Sequence, residues 1–144
     1  MQNLTPDYIV GLVDGEGSFT IYIRDPEPPL SFKWRVTVEP KFYIKLIEKD
    51  KKILERLKKY FGCGSIYFQK DNRPNHQHCY RFKVYNGDDL KNIIIPFFEK
   101  NELQFESKQN DFMIFRKMMV MINNKEYLKV KGLWSLYKLK QQMH

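Results

Sequence analysis

Strict two-residue alternation of apolar and polar side chains recurs four times in this chain, and no other feature constrains the fold as tightly. From Ser18 to Arg24, Phe19, Ile21 and Ile23 fall on one face, and Thr20, Tyr22 and Arg24 on the other. From Phe32 to Ile44, the residues Phe32, Trp34, Val36, Val38, Phe42 and Ile44 keep phase, with Lys33, Arg35, Thr37, Glu39, Lys41 and Tyr43 opposite them. Residues 65–70 and 79–85 repeat the pattern. Ile66, Phe68, Tyr80, Phe82 and Val84 are expected inward, and Tyr67, Gln69, Arg81 and Lys83 outward. Alternation of this kind describes strands with one face in a core and the other free, which antiparallel sheets allow and parallel sheets rarely do.

Between these strands the periodicity turns helical. Thr5 offers a capping hydroxyl, Pro6 suits a first turn, Asp7 complements the positive helix end, and Gly15 or Gly17 can stop the chain, which predicts a helix over 6–14. Glu48-Lys-Asp50 opens a second helix with Ile53, Leu54, Leu57, Tyr60 and Phe61 on one side and Gly62 as its stop. Further helices are expected over 88–100, interrupted at Pro96, over 107–123, and over 127–142. Residues 25–29 and the polar run DNRPNHQH supply loops, the latter at a hairpin tip. The order helix, two strands, helix, two strands, helices predicts a single α+β domain spanning 1–144, with a four-stranded, mainly antiparallel sheet covered by helices on its apolar face. A chain of this length can bury a sufficient core without disulfides or structural metal.

Composition narrows the partner. Lys and Arg number 25 against 17 acids, a net charge of +8, spread along the chain rather than gathered in a tail. The outward face of the sheet would carry Thr20, Tyr22, Arg24, Lys33, Arg35, Thr37, Lys41, Tyr43, Tyr67, Gln69, Arg81 and Lys83, with Glu39 its one acid. Solvated faces mix charge signs. A face that is basic, aromatic and amide suits a nucleic acid, with Arg and Lys on guanine or phosphate and Gln on adenine. No apolar run approaches the roughly 20 residues of a membrane span, so no membrane partner is expected. Two cysteines, Cys63 and Cys79, are too few for a secreted disulfide framework and point to free thiols in a reducing compartment. No secretory leader or Arg-rich transit peptide is evident. The chain has no alanine and is rich in Lys, Ile, Asn, Phe and Tyr. That usage fits an AT-biased genome, and with the thiols it suggests an intracellular site, in an organelle or an AT-rich prokaryote.

The stretch YIVGLVDGEGSF, residues 8–19, places Asp14 and Glu16 at the end of an apolar helix, where unpaired carbonyls are already partly negative. A cation is the favoured neighbour there. A dinucleotide fingerprint fails because the order is helix then strand, and the third glycine is missing. An EF-hand loop counted from Asp14 fails because its sixth position is Phe19. Gly11 and Gly15 lie on one helix face in a segment apolar nearly all round, so another backbone can approach closely. A second copy of the helix would dock there through Ile9, Gly11, Leu12 and Gly15. A twofold axis would then gather two Glu16 carboxylates and their carbonyls into a hard-oxygen site suited to Mg²⁺ or Ca²⁺.

IVGLVDGEG, residues 9–17, resembles the LAGLIDADG motif of homing endonucleases. FTIYIR, KDKKILERLKKYFGCGSIY, IIPFFEKNELQFESKQNDF and NKEYL extend the resemblance over almost the whole chain. The family's αββαββα domain matches the derived order, and its sheet forms a saddle on the DNA major groove. The resemblance implies that Glu16 binds metal beside the Gly15 carbonyl, while Asp14 has the more structural part of tying off the helix end. It implies a basic catalytic residue near the start of the long helix, for which Lys108 is the candidate, with Glu106 able to occupy the equivalent place. Leu46 and Asp50 stand where some relatives carry glutamine and a basic residue.

One motif implies half a site, hence a homodimer hydrolysing both strands of a long, near-palindromic duplex. Mg²⁺ would be the cofactor, with Ca²⁺ or Mn²⁺ substituting for binding and no small-molecule cofactor needed. Cleavage would leave 3′ overhangs and promote mobility of a host intron or intein. An intron maturase or a non-cleaving nucleic-acid-binding protein is the alternative on the same scaffold. A zinc site from Cys63, His76, His78 and Cys79 has poor spacing, since His78 and Cys79 are adjacent and point to opposite faces of a strand. Met118, Met119 and Met121 suit core packing on a helix.

Overall fold

A computed structural model describes residues 3–26 and 36–144. The front of the second alternating stretch, with Lys33 and Arg35, lies outside the described residues. Helix α1 runs Pro6–Glu16, with the Thr5 hydroxyl accepting the Tyr8 N–H at 3.2 Å and Pro6 in the first turn. It continues past the expected end at residue 14, so both acids belong to the last turn. Strand β1, Gly17–Ile23, follows without a loop, and the Gly17 N–H donates to the Val13 carbonyl.

Strand β2 spans Val38–Ile47, three residues beyond the expected end at Ile44, and passes through a 3₁₀ turn, Glu48–Asp50, into α2, Lys51–Phe61. Gly62 ends α2 in the left-handed region at φ +69°. Strands β3, Ser65–Gln69, and β4, Cys79–Val84, form a hairpin. Its base demands glycine at position 64, where φ is +92° and an added Cβ would come within 2.6 Å of the Phe82 ring. The strand order is β1-β2-β4-β3, every pair antiparallel. Phe42 stands opposite Phe19 on β1 and Val84 on β4, so the alternating stretches share one phase.

The helix expected over 88–100 is a single turn α3, Gly87–Asp89, a π-helical segment, Leu90–Ile94, and α4, Ile95–Lys100. The wider turn precedes Pro96, whose ring and missing N–H a regular helical ladder would not accept, so helix type changes where a break was expected. Helix α5, Glu106–Asn123, then lies along β1, and a 3₁₀ turn, Glu126–Leu128, leads to α6, Val130–Lys140.

The core sits between the sheet and this helical layer. Phe19 is its hub, with ring centroids 5.1 Å from Phe42, 5.4 Å from Phe98, 5.2 Å from Phe112 and 5.4 Å from Phe115. Met118 and Met119 are buried in the same cluster, and Met121 packs against it. Phe68 departs from expectation. It shares the covered side with Phe82 but is 51% exposed, because it lies on the outer strand near the hairpin tip, beside His78 and Tyr80.

Candidate functional site

The two acids of α1 have separate environments. Asp14 is 5% exposed, and its carboxylate accepts the Gln104 N–H at 3.1 and 3.0 Å and the Phe105 N–H at 3.1 Å. Phe105 is the N-terminal cap of α5 and provides no side-chain cap of its own, so Asp14 serves that helix end across ninety residues of sequence. Glu16, two residues on, is exposed beside exposed Gly15. In return, α5 sends a cation to α1: Lys108 Nζ donates to the Gly17 carbonyl next to Glu16. Each helix thus supplies the charge that the other's end favours, an anion at the start of α5 and a cation at the close of α1. Glu106, the other candidate for the basic position, is exposed in the first turn of α5.

Divalent metal is implied by the resemblance, and the donors present suit it. An exposed carboxylate beside helix-terminal carbonyls is a hard-oxygen set. Among the described residues no cluster of three or more His, Cys, Asp or Glu side chains that could hold a metal ion forms. Leu46 packs against the core, and Asp50 is exposed in the 3₁₀ turn, so neither faces the acidic end with a glutamine or basic group.

The outer face of α1 is corrected in one respect. Ile9 is 0% exposed and belongs to the chain's own core, so it cannot line a contact with another molecule. Tyr8 is 49% exposed and falls on one stripe with Gly11, half-buried Leu12 and Gly15. Among the described residues, a Cβ built on Gly11 or Gly15 meets nothing within 4 Å.

The free face of the sheet is laid out by cross-strand register. Thr20 stands opposite Lys41, Tyr22 opposite Glu39, Tyr43 between Ser18 and Lys83, and Lys45 opposite Arg81, which in turn faces Tyr67. Cations lie on aromatic rings here: Arg81 is 4.3 Å from the Tyr43 ring centre, and Lys83 is 5.1 Å from Tyr67 and 5.4 Å from Tyr85. Hydrogen bonding with Tyr85, then with Ser65, draws the Tyr67 phenol below its ordinary value, and nearby Lys83 acts in the same direction. Exposed Gln69 ends this row of β3, while Arg24 and Thr37 flank the described strands. Lys45 is the residue that alternation passed over, because β2 was expected to stop one residue earlier. Tyr85 closes the alternating stretch 79–85 and lies just beyond β4, which ends at Val84.

The cysteine and histidine residues do not converge. Cys63 follows α2, where burial, and then Asp89, raises its thiol. His78 spends its Nδ1 accepting the Asp71 N–H at 3.0 Å in the hairpin.

Together these features define an α+β protein with a cationic, aromatic sheet face and an acidic helix end beside it. A sequence profile of the family described as LAGLIDADG endonuclease matches residues 9–119, and the chain belongs to that family. It is 34% identical over 131 residues to a probable intron-encoded endonuclease 2 of Neurospora crassa, covering 90% of this chain and 27% of that protein. Homing endonuclease I-ApeII of Aeropyrum pernix is 28% identical over 130 residues, 90% of this chain and 71% of its own. The chain spans about a quarter of the length of the Neurospora relatives it matches. Among solved structures, the homing endonuclease I-TnaI superposes with a TM-score of 0.81 at 32% identity, covering 99% of this chain and 90% of that one. I-SmaMI bound to uncleaved DNA target in the presence of calcium ions gives 0.84 at 30% identity, covering 99% of this chain and 45% of its own.

Proposed function

We propose that the protein is a site-specific DNA endonuclease that works as a homodimer and hydrolyses both strands of a duplex. The observation that carries this reading is the exposed Glu16, presented at the rim of a cationic sheet by a helix whose small-residue face is open. Two α1 helices packed through Tyr8, Gly11, Leu12 and Gly15 would bring two acidic ends side by side and set two sheets end to end along a major groove. Family members named as intron-encoded or homing endonucleases support the activity.

The residues divide the work. Glu16 and the Gly15 carbonyl would hold a divalent cation, Mg²⁺ in the reading favoured here. When bound it would supply positive charge to the scissile phosphate and lower the pKa of an attacking water. Lys108 is held on the Gly17 carbonyl, so its ammonium lies next to the acidic end, where it can balance charge developing on phosphate oxygens. Asp14 positions this pair by fixing the start of α5 against the end of α1. The strands would fix register on the groove through Lys41, Lys45, Lys83 and their neighbours. Bending of uncontacted central base steps would add specificity without contacts.

Selection of cleaved sites from a random duplex library in Mg²⁺ tests this reading, with Glu16→Gln as control. Wild type should enrich a long, near-palindromic site and leave 3′ overhangs, and Glu16→Gln should bind that site without cutting it. Binding without cleavage by wild type would transfer the chain to the non-cleaving class. Equal cleavage by Glu16→Gln would remove Glu16 from the metal. A monomer on bound DNA by sedimentation would end the twofold arrangement.

A further inference from the structure

Arg81 stands apart from the other cations of the sheet. It is on β4, an inner strand, and the centre of its guanidinium lies over the Tyr43 ring of β2, 4.3 Å from the ring centre. Its Nε is buried and, among the described residues, has no hydrogen-bond partner. Directly across the strand pair is Lys45, and two residues along β4 is Lys83, so three positive charges share a small area. Like charges placed opposite one another on a sheet disfavour the free protein. Ion pairs occur elsewhere in the chain: Arg73 with Asp71, Arg116 with Glu99, Lys51 with Glu55. Among the described residues no such pair is made by Arg81.

We propose that Arg81 is a specificity-determining residue, a guanine reader pre-formed by Tyr43, demanding guanine at one position of each half-site. The inference rests on the nuclease reading and goes beyond it by naming the base and the residue. With Nε buried and the side chain as a whole only half-buried, a base would meet the two terminal nitrogens of the fork. Guanine alone among the bases offers two acceptors, N7 and O6, on its major-groove edge, and a planar arginine fork matches them in a bidentate contact. A phosphate could also accept the fork. Were the sheet seated centrally in a groove, its inner strands would lie nearer the base edges and its outer strands nearer the phosphate walls. Lys45 beside it can also donate to guanine, but as a point charge without a planar fork, so the orientation-dependent discrimination is assigned to Arg81. Tyr43 is a positioning residue: its ring holds the fork in one orientation before DNA arrives, reducing the ordering that binding would otherwise require.

The experiment measures base preference by equilibrium binding of wild type, Arg81→Lys, Arg81→Ala and Tyr43→Leu to every single-base variant of the selected site, with thermal unfolding as a check on folding. Wild type should prefer guanine at one position per half-site by about tenfold to a hundredfold. Arg81→Lys should lose most of that preference while retaining affinity for the rest of the site. Tyr43→Leu should reduce the same preference and leave other positions unchanged. Replacing that guanine with 7-deazaguanine should weaken wild type and leave Arg81→Ala unaffected. If Arg81→Ala weakens every variant equally and lowers the salt dependence, the residue contacts phosphate and the inference falls while the nuclease reading stands. If wild type binds no duplex with any sequence preference, the nuclease reading fails and takes the inference with it.

Discussion

The covered and open faces of the sheet are built from the same strands, yet they answer to different demands. On the covered face Phe19, Phe42, Ile44 and Phe82 are all buried, and Phe19 alone touches four other aromatic rings. On the open face Lys41, Tyr43, Lys45, Arg81 and Lys83 occupy the intervening positions, with Glu39 the acid opposite Tyr22. Close packing fixes the first set to shapes that fill a common volume. The second set meets no such constraint, so its chemistry is free to follow a partner. The end of α1 repeats the contrast over two residues: Asp14 is committed to the fold and Glu16 is free of it.

Substitutions on the two faces should therefore separate stability from activity. The largest stability effect is expected at the core hub, where Phe19→Ala should cost about 3–5 kcal/mol in urea unfolding. A cost below about 1 kcal/mol would mean that the helical layer closes over the gap. Asp14→Ala comes next, since it strips charge-assisted hydrogen bonds from two backbone N–H groups, for about 2–3 kcal/mol by the same measurement. Glu16→Gln, beside it, should change stability by less than about 0.5 kcal/mol while abolishing cleavage. Similar stability losses for the two acids would break the contrast drawn between them. Lys41→Ala should likewise leave unfolding within about 0.5 kcal/mol, but should lower the salt slope of DNA binding by about one.

The smallest effect is expected at the hairpin tip, where a cation does find its acid. Hydrogen bonds from Arg73, side chain then backbone, hold the Asp71 carboxyl well below the ordinary range. A lowered folded value makes its contribution complete above the unfolded value near 4 and erodes it as pH falls through the interval below. Any advantage of wild type over Asp71→Asn in thermal unfolding should thus shrink on acidification from pH 6. An advantage that grows instead would place the stabilising partner elsewhere.

Much of this architecture was legible before any coordinates. Alternation placed the four strands and assigned Arg81, Lys83, Tyr43 and Lys41 to one face, because a period of two fixes the side of every residue once the strand exists. It misassigned the surroundings of Phe68, because periodicity tells which way a side chain points but not how far the covering helices extend. Helical spacing marked Gly11 and Gly15 as an open stripe, yet included Ile9, whose burial depends on how α1 is rotated against the sheet. The expected end of β2 at Ile44 cost Lys45, since the boundary of a ladder depends on its partner strand.

The sequence by itself determined the local order of helices and strands, the chemistry of each sheet face, and the presence of two acids and two glycines at the end of α1. These follow from interactions between residues near in the chain, which leave a period or a punctuation mark. Only the tertiary structure decided which acid is buried, because the N–H groups that Asp14 satisfies come from Gln104 and Phe105. It likewise decided that Lys108 rests on the Gly17 carbonyl and that Arg81 lies on Tyr43. Contacts between distant segments carry no local signature, so their geometry appears only when the chain has closed on itself.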